Sequence, residues 1–187
     1  MRIIAGNLKG RKLKHALPPN VRPTTDSVRE TIFNILSNYI DFDELTIADI
    51  CAGSGMLGFE AISRGASYCY FIDNNKKVAN TLNQNAISIG IPEDKFEIIN
   101  FDSLKFLKNI KSVDTYLQFD IMFYDPPYVS KTSNNFLLII EEMNLISDNG
   151  IVVTEHSDKE AIITTDYFFQ LSSKKFGETI VDFWQKK

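Results

Sequence analysis

Apolar positions along this chain follow two rhythms. Short apolar runs centred on 46–51, 68–73, 96–100, 119–124 and 150–155 have the length and β-branched or aromatic content of buried strands. Between them, apolar residues recur at helical spacing. Val28, Ile32, Ile35, Leu36 and Tyr39 share one face, with Ser27-x-x-Glu30 as an expected capping box. Further helices are expected over 56–64, over about 75–89 ending at Gly90, through Leu104 and Leu107, and through Phe136, Leu137 and Ile140. The tail changes period: 168–175 and 179–184 alternate and meet around Gly177, the pattern of an antiparallel hairpin. Five β–α units and a hairpin predict an α/β fold, a mostly parallel seven-stranded sheet with one antiparallel strand.

The strand over 119–124 runs directly into Asp125-Pro126-Pro127-Tyr128, which places this tetrapeptide at the carboxyl end of the sheet, where open α/β folds bind ligands. Neither proline has an N–H, so the loop offers acceptors and almost no donors. Pro126 biases Asp125 toward an extended backbone that carries its carboxylate forward. One carboxylate, bare carbonyls and an aromatic ring suit a flat substrate with an NH₂ group, such as a nucleobase. A plain surface turn is the alternative for these residues taken alone.

A second motif follows the strand over 46–51: Asp49-Ile-Cys-Ala52-Gly53-Ser54-Gly55-Met-Leu-Gly58, with Asp73 ending the next strand. Strand, glycine turn and helix place backbone N–H groups at a helix start, facing a ligand. The spacing Gly53-x-Gly55-x-x-Gly58 also meets the dinucleotide fingerprint. Asp49 argues against a dinucleotide, because a carboxylate beside the turn repels a pyrophosphate. It favours S-adenosylmethionine, which carries a sulfonium and an ammonium and no phosphate. Asp73 suits the ribose hydroxyls of either ligand. Asp102, after the strand over 96–100, can accept from an adenine amino group or cap the following helix, and the two roles are compatible.

Charge is distributed unevenly. Residues 1–29 hold seven basic side chains against the single acid Asp26, a balance of +6, so the remainder stands at −10 within the total of −4. A basic arm over 1–24, ahead of a single domain over 25–187, suggests phosphate contacts concentrated at one edge. No run of eighteen apolar residues is present and the first residues lack a signal-peptide pattern, so a cytoplasmic protein is expected. Cys51 and Cys69 have no metal spacing and read as reduced residues of predicted strands; no metal site is expected. His156 receives no role.

The chain resembles the RsmD-type methyltransferases nearly end to end. The resemblance is carried by Arg2-Ile-Ile-Ala-Gly6 with Gly10-Arg-Lys-Leu13, by Arg22-Pro-Thr-Thr-Asp-Ser-Val-Arg-Glu-Thr-Ile-Phe-Asn34, by Asp49 to Gly58, by Ser63-Arg-Gly-Ala66, by Asp125 to Tyr128 and by Phe176-Gly-Glu-Thr179. It implies a Rossmann-like class I methyltransferase fold, S-adenosylmethionine as donor, and methylation of the exocyclic N2 of one guanine in small-subunit (16S) ribosomal RNA by a monomer. Adenine N6 in DNA or RNA, or a protein glutamine, is the alternative target of the same tetrapeptide. Asp125, Pro126, Pro127 and Tyr128 are the expected catalytic residues, with Tyr128 stacking on the base. Asp49, Ala52, Gly53, Ser54, Gly55, Gly58, Asp73 and Asp102 are expected at the cofactor. Arg2, Arg11, Arg22, Thr24 and Arg29 are expected at the RNA, with pairing to acids on the body as the other reading of Arg22 and Arg29. Cys51 stands where an aromatic is more usual in the family.

Overall fold

The computed structural model describes residues 1–16, 18, 24–112, 114–127, 131–163 and 165–187. Seven strands form one sheet: β1 (Thr46–Ile50), β2 (Tyr68–Ile72), β3 (Phe96–Ile99), β4 (Phe119–Tyr124), β5 (Ile146–Ser157), β6 (Phe168–Phe176) and β7 (Thr179–Lys186). Their spatial order is β3-β2-β1-β4-β5-β7-β6. β3 to β5 pair in parallel, and β7 runs antiparallel to both of its neighbours. The first three strands wind one way from β1 and the rest the other, so the order reverses between β1 and β4. A crevice opens at such a switch point, outside the carboxyl ends of the strands.

Helices cover both faces, which is why the parallel strands are apolar on both sides. Ile47, Ile121, Phe123 and Val153 face a core shared with α1 (Asp26–Leu36), α2 (Met56–Ser63) and α3 (Lys76–Ser88). Ala48, Ile50, Met122, Tyr124 and Val152 face the opposite core, filled by Leu107 of α4 (Ser103–Asn109) and by Phe136, Leu137 and Ile140 of α5 (Ser133–Met143). No helix among the described residues is long and apolar enough to cross a membrane.

Several elements depart from the sequence-based expectation. The cap of α1 is Thr25, whose Oγ1 accepts from Val28 N–H at 3.3 Å, not Ser27. The helix therefore starts at Asp26 and ends at Leu36, leaving Tyr39 exposed beyond it. Cys51 lies in the turn after β1, with φ at +63°, and only Cys69 is a fully buried strand residue. β5 begins at Ile146 rather than near Gly150. Between Phe119–Ile146 and Ile121–Ile151 its register with β4 shifts, and this bulge absorbs the polar Asp148-Asn149-Gly150.

The N-terminal arm is docked over residues 2–15. Arg2 and Lys12 form an antiparallel bridge, and Ile3 sits in the core with α1 and α2. Glu60, fully buried on α2, accepts from the backbone N–H of Ile4 at 2.8 Å and Ala5 at 2.9 Å. Ser63 accepts from Leu8 N–H at 2.9 Å. Gly6 lies so close to Ser63 that a Cβ would overlap its backbone carbonyl, and its φ of +76° favours glycine independently. The first conserved-looking arm segment and the Ser63–Ala66 segment are thus two halves of one joint. Farther on, His15 and the buried Asn85 of α3 exchange two backbone–amide hydrogen bonds at 3.0 and 3.2 Å.

Candidate active site

A cleft of about 490 Å³ opens at the switch point, and both sequence motifs line it. β1 delivers Asp49 and the glycine turn; β4 delivers Asp125, Pro126 and Pro127 from the neighbouring strand. Ala52, Gly53, Ser54, Asp73 and Thr24 complete the part expected from sequence. The turn is held from beneath: Asp73 accepts from Gly53 N–H at 3.1 Å and from Asn75 N–H at 2.8 Å. Ser54 Oγ accepts from Met56 N–H at 3.4 Å, at the start of α2. Gly55 does not line the cleft, and neither does Gly58. The role of Gly58 is packing, since a Cβ there would collide with the Phe71 ring and approach the Cys69 sulfur to 2.7 Å.

The electrostatics are one-sided. Asp49 is buried and accepts from Gly58 N–H at 3.0 Å, yet burial pushes its carboxyl up to about 7, with the nearby charge of Asp73 adding to the rise. Asp125 is raised well above the carboxylate range, first by desolvation and then by the charges of Glu155 and Asp49; a hydrogen bond from Thr24 opposes the rise. The parallel pairing of Tyr124 with Thr154 explains the first neighbour, because the next residues of those strands are Asp125 and Glu155. No Lys, Arg or His lines the cleft among the described residues. Three lining carboxylates, with no lining cation among the described residues, disfavour a pyrophosphate and suit a positively charged ligand. The donor set therefore fits S-adenosylmethionine and not a dinucleotide.

Other sequence-derived residues fall in different places. Asp102 is exposed and outside the cleft lining, with Oδ1 accepting from Lys105 N–H at 2.9 Å as the cap of α4; its neighbour Ser103 lines the cleft instead. Cys51 lines the cleft beside Ser103 (3.4 Å), but burial pushes its thiol up to about 12, so it is no thiolate nucleophile. Arg29 corrects an expectation: it is fully buried and has no surface to offer RNA. Its guanidinium donates to Arg2 O at 2.7 Å, Thr24 O at 3.4 Å and Asp26 Oδ1 at 3.1 Å, so the geometry supports pairing within the protein. Arg11 is exposed but donates to the carbonyl of Ile89, at the end of α3. Arg2 is exposed, 3.6 Å from Asp26. Arg22 and Tyr128 lie outside the described residues. Sequence reasoning missed Glu60 and Glu155; these acids sit in helix or strand context with no motif of their own, and only the tertiary contacts reveal them.

Seven strands in this order, a glycine turn after β1 and an acceptor loop after β4 define a class I methyltransferase fold. The family model described as conserved hypothetical protein 95 matches residues 1–185, and the chain belongs to that family, the RsmD family. It is 37% identical over 177 residues (95% of this chain, 89% of the relative) to ribosomal RNA small subunit methyltransferase D of Haemophilus influenzae. It is 33% identical, over the whole of both chains, to a Bacillus subtilis protein described as a candidate rRNA methyltransferase, YlbH. A solved Escherichia coli structure described as a candidate methyltransferase superposes with a TM-score of 0.84 at 27% identity, covering 100% of this chain and 98% of the other.

Proposed function

We propose that this protein methylates the exocyclic N2 amine of a guanine in small-subunit ribosomal RNA, with S-adenosylmethionine as donor. The observation that carries the reading is the placement of Asp125-Pro126-Pro127 and the Asp49 glycine turn in one cleft lined by three carboxylates. Membership of the RsmD family supports the rRNA substrate. Asp49, Ala52, Gly53, Ser54, Asp73 and Ser103 are the residues that would hold the donor. When bound, it supplies an electrophilic methyl group on a sulfonium.

The protein's own part is to prepare the amine. A guanine amino group is a poor nucleophile because its lone pair is delocalised into the ring. Acceptors at its two hydrogens, the Asp125 carboxylate and the Pro126 carbonyl, favour a pyramidal nitrogen and stabilise the positive charge that develops there. Burial raises the Asp125 pKa, which also makes this carboxylate a competent acceptor for the proton the nitrogen loses. Tyr128 follows directly and would stack on the base, an interaction of about 1–3 kcal/mol in stacking systems. A paired or stacked guanine is first turned outward.

The basic segment 1–24 is the RNA-binding arm in this reading, and 25–187 the catalytic domain. Arg2, Lys9, Lys12 and Lys14 are exposed on the arm and suited to phosphate contacts. The substrate is rRNA in the small subunit or its assembly intermediate, met in the cytoplasm by a monomer. The test is transfer of labelled methyl to small subunits from a strain lacking this enzyme, followed by nucleoside analysis. Label in N2-methylguanosine at one position supports the reading; label in methyladenosine overturns the assignment of the target base.

A further inference from the structure

Thr24 has a position that an RNA contact does not explain. It lines the cleft, and its hydroxyl donates to Asp125 Oδ2 at 3.4 Å. Its carbonyl is held in turn by the buried Arg29 guanidinium, which also grips the Arg2 carbonyl and the Asp26 carboxylate. Thr24 therefore stands between the docked arm and the carboxylate that faces the substrate. The next residue, Thr25, caps α1, so Thr24 is fixed on its carboxyl side as well as through its own carbonyl.

We propose that Thr24 is a positioning residue for Asp125: its hydroxyl occupies one carboxylate oxygen, which leaves the other directed at the substrate amine, and Arg29 makes that contact conditional on a docked arm. The inference rests on the reading of Asp125 as the amine acceptor. It assigns Thr24 to the chemistry and not to RNA affinity. Among the described surroundings of Asp125, Glu155 on β5 and Asp49 on β1 bear charges that disfavour its anion, and the Thr24 hydrogen bond favours it. Losing the hydroxyl should therefore shift Asp125 toward its neutral, poorly accepting form as well as free its rotation.

Thr24→Val keeps the shape and removes the hydroxyl, and Thr24→Ser restores it. The expected result is a fall in kcat of about 10- to 100-fold for Thr24→Val, the range of a hydrogen bond to a charged group. The KM for RNA stays unchanged, the acid limb of the pH–rate profile moves to higher pH, and Thr24→Ser recovers to within about threefold of the parent. An effect confined to KM, an unmoved acid limb, or failure of serine to rescue would overturn the proposal. A carbon-13 carboxyl NMR titration of Asp125 reads the contact without any turnover. A higher titration midpoint in Thr24→Val than in the parent and Thr24→Ser supports it; equal midpoints overturn it. This second measurement stands whatever the substrate proves to be, whereas absence of N2-methylguanosine from the parent enzyme would count against the function alone.

Discussion

Asp125 and Asp182 are both carboxylates packed into the same sheet, and their surroundings are opposites. Asp182, on β7, accepts from His156 Nε2 at 2.9 Å through one oxygen and from Gln170 at 3.0 Å through the other. The second ring nitrogen of His156 faces the Ser157 carbonyl at 2.9 Å, so both nitrogens face acceptors, an arrangement that favours the protonated ring. These partners raise the His156 pKa in spite of burial. Trp184 beside them donates to Thr154 at 3.0 Å. Among the described residues, Asp125, in contrast, has one long hydrogen bond, from Thr24, and two acids for neighbours. The cluster at β7 answers all of its polar groups from within the protein and so stabilises it. The cleft keeps a carboxylate poorly answered, which costs stability and leaves an acceptor for a substrate.

The largest effect expected from this contrast is on turnover. Asp125→Ala should lower kcat by about 1000-fold or more, with donor binding retained in calorimetry and the melting temperature unchanged or raised. Asp182→Ala should do the reverse. It leaves the buried His156 ring and Gln170 without their acceptor, at a cost of about 3–5 kcal/mol in urea unfolding, while activity per folded molecule is preserved. An Asp125 variant that unfolds, or an Asp182 variant that folds stably but is inactive, would break the comparison.

A third test separates the arm from the cleft. Gly6→Ala forces a side chain into the Ser63 carbonyl and should undock the arm. Methylation of RNA should fall about tenfold or more, and donor affinity, which depends on the turn after β1, should remain as in the parent. The smallest effect is on pH. Asp49 titrates near 7 in the folded protein against about 3.8 in the unfolded chain, so its burial is harmless below about pH 4 and increasingly destabilising up to about 7. His156 has a folded pKa raised above the ordinary 6.5, so its contribution is complete below 6.5 and fades as pH rises through the folded value. Both trends lower the stability of the ligand-free protein from pH 5 toward 8. Urea midpoints across that range should show this, and Asp49→Asn should flatten the lower part of the slope. Donor binding should weaken below about pH 7, as protons compete for Asp49.

The parallel strands and the two loops at their carboxyl ends were legible because buried parallel strands are continuous apolar runs and the loops follow them without a gap. Asp49, Asp73 and Asp125 needed no tertiary information for that reason. The early start of β5 was hidden by the bulge that accommodates Asp148-Asn149-Gly150, which reads as a turn. From sequence, Arg29 suits an RNA contact and pairing with acids on the body equally. Its place on the apolar face with Ile32, Phe33 and Leu36 is set by the helix starting at Asp26 after its Thr25 cap, and two of its partners are carbonyls that no pattern announces. Asp102 shows a limit of another kind: one short acid suits a cap and an adenine contact equally, and geometry supplies the cap. The pairing of Gly6 with Ser63 was invisible as a contact, although both segments had been singled out separately.

The most direct test of the central claim is nucleoside analysis of small-subunit rRNA after incubation with labelled S-adenosylmethionine and either the parent protein or Asp125→Ala. The account predicts N2-methylguanosine at a single position with the parent and none with the variant, whose donor binding persists. Label in another nucleoside, or equal labelling by the variant, would contradict it.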